Sequence, residues 1–107
     1  MNTMIKKVFI AQPMNGIPTE EVERRRNELM MIAKKYMEKC GNTIEFIDQY
    51  HLPEIPNGGR LHYLGRSIQL LADADMVVFA RDYKDAKGCI IEKDICDRYG
   101  IKYIIEV

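Results

Sequence analysis

The sequence carries no excess of either charge. Lys plus Arg and Asp plus Glu number 16 each in 107 residues, so the formal net charge is zero. That balance excludes a nucleic-acid backbone or an anionic membrane surface as the main partner. No apolar run approaches the roughly 20 residues needed to span a bilayer. The first residues hold no extended apolar segment and no small-residue cleavage site, so no secretory leader is expected. Cysteine is sparse and odd in number, with three residues, Cys40, Cys89 and Cys96. An odd count without close pairing argues against a disulfide framework and suits a reducing compartment. Cys89 and Cys96 have no histidine near them at ligand spacing and make a poor zinc site, so the cysteines are expected in the core. His51 and His62 lack a paired ligand at metal spacing, and surface or packing roles are expected for them. Together these absences predict a cytoplasmic protein with no metal and no cofactor.

Two phosphate-binding signatures are also missing. The loop Gln12–Pro18 has one glycine where a dinucleotide fingerprint needs three, and it has no Gly-Lys-Ser/Thr sequence. The chain shows no internal repeat, low-complexity tract or linker, and 107 residues suffice for one small domain over residues 1–107.

What is present is an alternation of two periods. Val8-Phe9-Ile10-Ala11 is a short apolar run of the kind that forms a buried parallel strand. Gln12 to Pro18 holds two prolines and a glycine and reads as an ordered turn. Thr19 is placed to cap a helix whose first turn carries Glu20, Glu21 and Glu23. Val22, Leu29, Ile32, Ala33, Tyr36, Met37 and Cys40 recur at helical spacing, and Gly41 is a natural stop. The basic run Arg24-Arg25-Arg26 lies among Glu20, Glu21, Glu23 and Glu28 and reads as a solvated face laced with ion pairs. Thr43 to Ile47 alternates as a second strand at a sheet edge. Asp48 to Gly59 is a long Pro/Gly-containing loop of the kind that is often functional or mobile.

Leu61, Leu64, Ile68 and Leu71 mark a second helix over Arg60 to Ala72. Gly65 inside it costs about 1 kcal/mol relative to alanine, which points to close packing or close approach there. Met76 to Ala80 is a third buried strand, a third helix runs from near Gly88 to Tyr99, and Lys102 to Val107 is a final strand. The order β-α-β-α-β-α-β implies a four-stranded parallel sheet, strand order 2-1-3-4, with helices on both faces. Ligands of such sheets bind beyond the carboxyl ends of the strands where strand order reverses. That point lies between the first and third strands, flanked by Gln12–Pro18 and Arg81–Lys87. The second of these loops leads to Glu92, about one turn inside the third helix. The helix macrodipole is expected to favour its ionised form, as a nucleophile or a hydroxyl acceptor, although helix starts attract acids without any chemistry.

Four stretches in combination resemble a known group. They are Val8-Phe9-Ile10-Ala11-Gln12-Pro13-Met14-Asn15-Gly16, Tyr63-Leu64-Gly65-Arg66-Ser67, Ala74-Asp75-Met76-Val77-Val78-Phe79 and Ala86-Lys87-Gly88-Cys89-Ile90-Ile91-Glu92. The chain is similar to a small uncharacterised domain family of the nucleoside 2-deoxyribosyltransferase-like superfamily. The resemblance implies a Rossmann-like or flavodoxin-like three-layer α/β sandwich. It implies a nucleoside or nucleotide as substrate, cleaved or transferred at its N-glycosidic bond, and no cofactor. It implies that Glu92 attacks the sugar anomeric carbon and that Gly88 precedes it as in the relatives. Gln12, Pro13, Met14, Asn15 and Gly16 match the loop that lies against the sugar or its 5′ end. Ser67 stands where several relatives carry an aspartate that contacts the sugar or helps proton transfer. Serine can hydrogen-bond a hydroxyl but is no acid at neutral pH. Asp85 is then the candidate proton donor, or a water held by Ser67 and Gln12. Asp82 is a second match for an aspartate that some relatives place before the glutamate. Tyr63, one turn before Ser67, is placed to orient a carboxylate or the sugar, or to pack in the core. The relatives also imply a homodimer or larger homo-oligomer. A binding module using the same crevice without turnover, and a small α/β accessory domain, are the competing readings.

Overall fold

The computed structural model describes residues 5–107. Four strands form one sheet: β1 (Ile5–Ala11), β2 (Thr43–Phe46), β3 (Met76–Phe79) and β4 (Tyr103–Ile105). Their order across the sheet is β2-β1-β3-β4, and every pairing is parallel. The helices are α1 (Thr19–Lys39), α2 (Arg60–Leu71) and α3 (Lys87–Tyr99). A single 3-10 turn, Tyr83–Asp85, lies between β3 and α3.

The central strands are apolar on both sides because both sides are covered. Val8, Ile10, Met76, Val78 and Ala80 pack against Leu29, Ala33 and Met37 of α1. The alternate residues Phe9, Ala11, Val77 and Phe79 pack with Leu71 of α2 and with Cys89 and Cys96 of α3. Period-two alternation sends neighbouring residues to opposite faces, so one run of apolar residues builds two cores. The architecture is the three-layer α/β sandwich with order 2-1-3-4 that the alternation of elements implies.

Register aligns the ends that matter. Ala11 pairs with Phe79, so β1 and β3 finish level at the carboxyl edge. From that edge α1 crosses to β2 on one side, while α3 crosses to β4 on the other. The point of reversal is therefore flanked by the first residues after each strand.

Three local expectations need correction. Thr19 is the first helical residue rather than the cap; Pro18 holds the cap position, and its carbonyl accepts from Glu21 N and Val22 N. Cys40 is exposed rather than buried, because it follows the last turn of α1 where the apolar stripe has already ended. Gly65 has nothing within 4 Å of where a Cβ would stand, so its lack of a side chain serves no packing contact among the described residues.

Candidate active site

The first loop is fixed at its base and open at its tip. Gln12 and Pro13 are buried, whereas Met14, Asn15 and Gly16 are exposed. Gln12 Nε2 donates to Val22 O at 3.1 Å, tying the end of β1 to the first turns of α1. Ile17 N donates to Met14 O, and Gly16 turns the chain with φ of 75°, a conformation that side chains resist. Buried Gln12 thus anchors the base of the loop, and the Ile17–Met14 hydrogen bond closes its tip.

The second loop is pinned from two sides. Arg25 of α1 reaches Asp82 at 2.5 Å, with both side chains largely covered. The hydrogen bond from Arg25 holds the Asp82 carboxyl below its ordinary range. Arg81 pairs with Glu106 beyond β4, and Arg81 N also donates to that carboxylate. Asp82 is therefore committed to a guanidinium on the α1 side. Asp85 is exposed in the 3-10 turn.

Glu92 lies in the second turn of α3, and its exposure is 6%. It shares the inward face of the helix with Cys89 and Cys96, at spacings of three and four residues. An acidic residue thus occupies a core-facing position. No hydrogen bond or ion pair from a described residue reaches its carboxylate. Burial pushes its pKa up to about 7 from an ordinary 4.5. Contrary to the expectation from the macrodipole, whose influence fades within the first turn, desolvation dominates at this second-turn carboxylate and favours its neutral form. Burial is the cause of that shift, and the Asp82 carboxylate is spent on Arg25. Cys89, by contrast, is raised to about 12 by burial and then by Glu92 and Asp82. That thiol stays protonated at neutral pH and is no nucleophile.

Helix α2 closes this side. Leu64 approaches within 3.7 Å of where a Cβ on Gly88 would stand, so the two helices meet at the start of α3. Ser67 is half-buried and follows Leu64 by three residues, on the face that also carries Ile68 and Leu71. Tyr63 turns away to the long loop: its hydroxyl accepts from Ile55 N at 3.1 Å, and Arg66 stacks on its ring at 5.2 Å. His62 likewise accepts from Gly59 N through Nδ1 at 2.9 Å, and His51 pairs with Asp48.

Two open clefts lie away from Glu92. One, of about 470 Å³, sits between α1 and the segment after β2 and includes Arg26, Phe46 and His51. The other, of about 460 Å³, runs along the outer side of α2 past Leu61, Gly65 and Gln69.

The run Arg24-Arg25-Arg26 does not form one solvated face. Successive helical residues point about 100° apart. Arg24 pairs with Glu21 and Glu28 in solvent, Arg25 crosses to Asp82, and Arg26 turns inward to 8% exposure. The signal for Arg26 was its place at helical spacing between Val22 and Leu29, inside the apolar stripe. Nothing in the local pattern marks Arg25, or Gln49, whose side-chain amide donates to Ile10 O while its own buried oxygen has no partner among the described residues.

The fold is a doubly covered parallel-sheet α/β domain with a buried acid in the helix that follows its third strand. Residues 6–105 match the family described as a domain of unknown function, DUF4406, and the chain belongs to that family. It is also 33% identical over 95 residues to the ribosomal protein uS12 methylthiotransferase RimO of Crocosphaera subtropica. That match covers 80% of this chain and 21% of the relative, so the chain spans about a fifth of the relative's length. No solved structure matches the chain. No helix among the described residues is long and apolar enough to cross a membrane.

Proposed function

We propose that the protein cleaves or transfers the N-glycosidic bond of a nucleoside or nucleotide, with Glu92 as nucleophile. The observation that carries this reading is the buried Glu92 carboxylate, without a partner among the described residues, in the second turn of the helix that follows β3. A buried carboxyl held without a partner is costly to ionise. It gains that partner when positive charge develops at a sugar anomeric carbon, so the interaction is stronger in the transition state than in the free protein. A Glu92 oxygen forms a bond to the anomeric carbon as the bond to the base breaks, and the base leaves with that electron pair and takes a proton. Water or a second base then attacks the same carbon, and the Glu92 carboxylate is released.

The proton for the departing base comes from water, held by Ser67 and Gln12, or from Asp85. Gln12 gives one amide N–H to Val22 O, which leaves its second N–H and its side-chain carbonyl for a water. Met14, Asn15 and Gly16 offer the exposed loop tip to the sugar or its 5′ end. The homo-oligomer implied by the resemblance belongs to the same reading, as a neighbouring copy would close the exposed tip.

A second reading has its own support. Asp82 is held by Arg25 and Asp85 is exposed, so neither is a free buried acid poised to act with Glu92. A module that binds a nucleoside and keeps it intact needs only one hydroxyl acceptor. The two readings separate in one experiment. Wild type and Glu92→Gln are incubated with a panel of nucleosides and nucleotides, and free base is separated by chromatography. Base release that falls at least about a hundredfold in Glu92→Gln supports the enzyme. No release, with thermal stabilisation by a panel member lost in the variant, supports the binding module.

A further inference from the structure

Arg26 is the one charged side chain of α1 that points into the protein. It replaces an apolar residue in the stripe formed by Val22, Leu29, Ala33 and Met37. Its exposure is 8%, yet none of the ion pairs among the described residues includes it. Its one hydrogen bond to a described residue, from an Nη to Ile47 O, is 3.5 Å long, at the outer limit for such a bond. A guanidinium carries five N–H donors and does not lose its proton. Burying one without a counter-ion is strongly unfavourable, and charges in protein interiors are paired.

The guanidinium opens onto the 470 Å³ cleft between α1 and the segment after β2. The carboxylates of that cleft make no direct ion pair with Arg26. Asp48 lies near enough for its charge to favour the guanidinium, but its oxygens are engaged in its own turn, one accepting from Tyr50 N and His51 N at 3.0 Å each and the other meeting His51 Nδ1 at 2.9 Å. Glu23, also at the cleft, makes no ion pair with Arg26. Met30, Phe46 and Tyr50 give the remaining wall an apolar and aromatic character, and Asn27 adds a neutral donor and acceptor.

We propose that this cleft is a binding site for a small molecule bearing an oxyanion, a carboxylate or a phosphate, with Arg26 as its counter-ion. The oxyanion takes the free edge of the guanidinium in a two-point contact, and the body of the ligand lies on Phe46, Met30 and Tyr50. The site stands on the α1 face of the sheet. Glu92 stands on the opposite face, so this proposal does not depend on the reading of Glu92.

The test is calorimetric titration of the full chain with inorganic phosphate, phenyl phosphate, benzoate and an uncharged nucleoside. Wild type is compared with Arg26→Met, which suits the apolar stripe, and with Arg24→Met as the control. Binding of phosphate or phenyl phosphate identifies the phosphate source of the oxyanion; binding of benzoate alone identifies the carboxylate source. Either result supports the site when Arg26→Met weakens binding at least about tenfold and the control retains it. No charged probe binding by 10 mM, or binding that survives in Arg26→Met, overturns it. If Arg26→Met does not fold, the Nε–Hε resonance of Arg26 in wild type is followed by NMR during the same titrations. A resonance that shifts with a charged probe and not with the uncharged nucleoside upholds the site. One that shifts with no charged probe overturns it.

Discussion

Glu92 couples folding to pH. Its carboxyl titrates near 4.5 in the unfolded chain and about 7 in the folded one. Between those values the folded protein keeps a proton that the unfolded chain has released. Stability therefore falls as pH rises from about 4.5 to about 7 and stays lower above that. The loss is on the order of 3 kcal/mol, from a shift of about 2.5 units at 1.36 kcal/mol each. Glu92→Gln removes the titration, so urea melts at pH 5 and pH 8 should differ less for the variant than for wild type. A wild-type melt that is flat over this window would place the Glu92 carboxyl in water. The same ionisation sets the proposed chemistry: base release should rise with pH through about 7, since only the carboxylate attacks. Arg25 works differently, through position. Its pair with Asp82 joins α1 to the loop before α3 across 57 residues of chain. Arg25→Ala should cost about 1 kcal/mol, discounted for partial exposure, and speed amide exchange in residues 82–86 above all.

At the scale of elements, two glycines predict opposite outcomes. Gly65 lies in α2 with open space where its Cβ would stand. Gly65→Ala should raise stability by about 0.5–1 kcal/mol, read from the denaturant midpoint, because alanine loses less backbone freedom on folding. If Gly65→Ala is neutral for stability but alters assembly, read by light scattering, the open space is filled by a neighbouring copy. Gly58 sits in the long loop, where a Cβ would come within 2.8 Å of both the Cβ and the carbonyl oxygen of Ile55. Gly58→Ala must displace backbone, so the turn held by Gly58 N and Ile55 O should open and the variant should melt earlier. The element that carries α2 into place is thus a loop, pinned by Tyr63, His62 and Arg66, whose guanidinium donates to Pro53 O at 2.5 Å.

For the whole molecule, the sheet is one wall shared by two cores. Leu29 and Leu71 are the large aliphatic side chains buried against opposite faces, each at 1% exposure or less. Leu29→Ala and Leu71→Ala should each cost about 2–5 kcal/mol. Because the same strands serve both faces, either change should lower one cooperative transition, with far-UV and near-UV signals moving together. Two separated transitions would mean that the faces fold independently.

The division between chain and fold follows from range. Element order, the parallel sheet, its 2-1-3-4 order and the two loops at the switch point are legible in the sequence, because period and turn chemistry act over a few residues. The glycine at the end of α1 belongs there too, with Gly41 at φ of 74°. The environments of charged groups do not belong there. Glu92 looked like a helix-start carboxylate eased by the dipole, and burial against the sheet makes it a near-neutral acid. Asp82 looked free for chemistry, and a guanidinium from α1 claims it. Arg26 looked like one of three solvated arginines, and its direction on the helix puts it inside. Desolvation and partner choice depend on what packs from distant segments. Only the assembled sandwich brings those segments together.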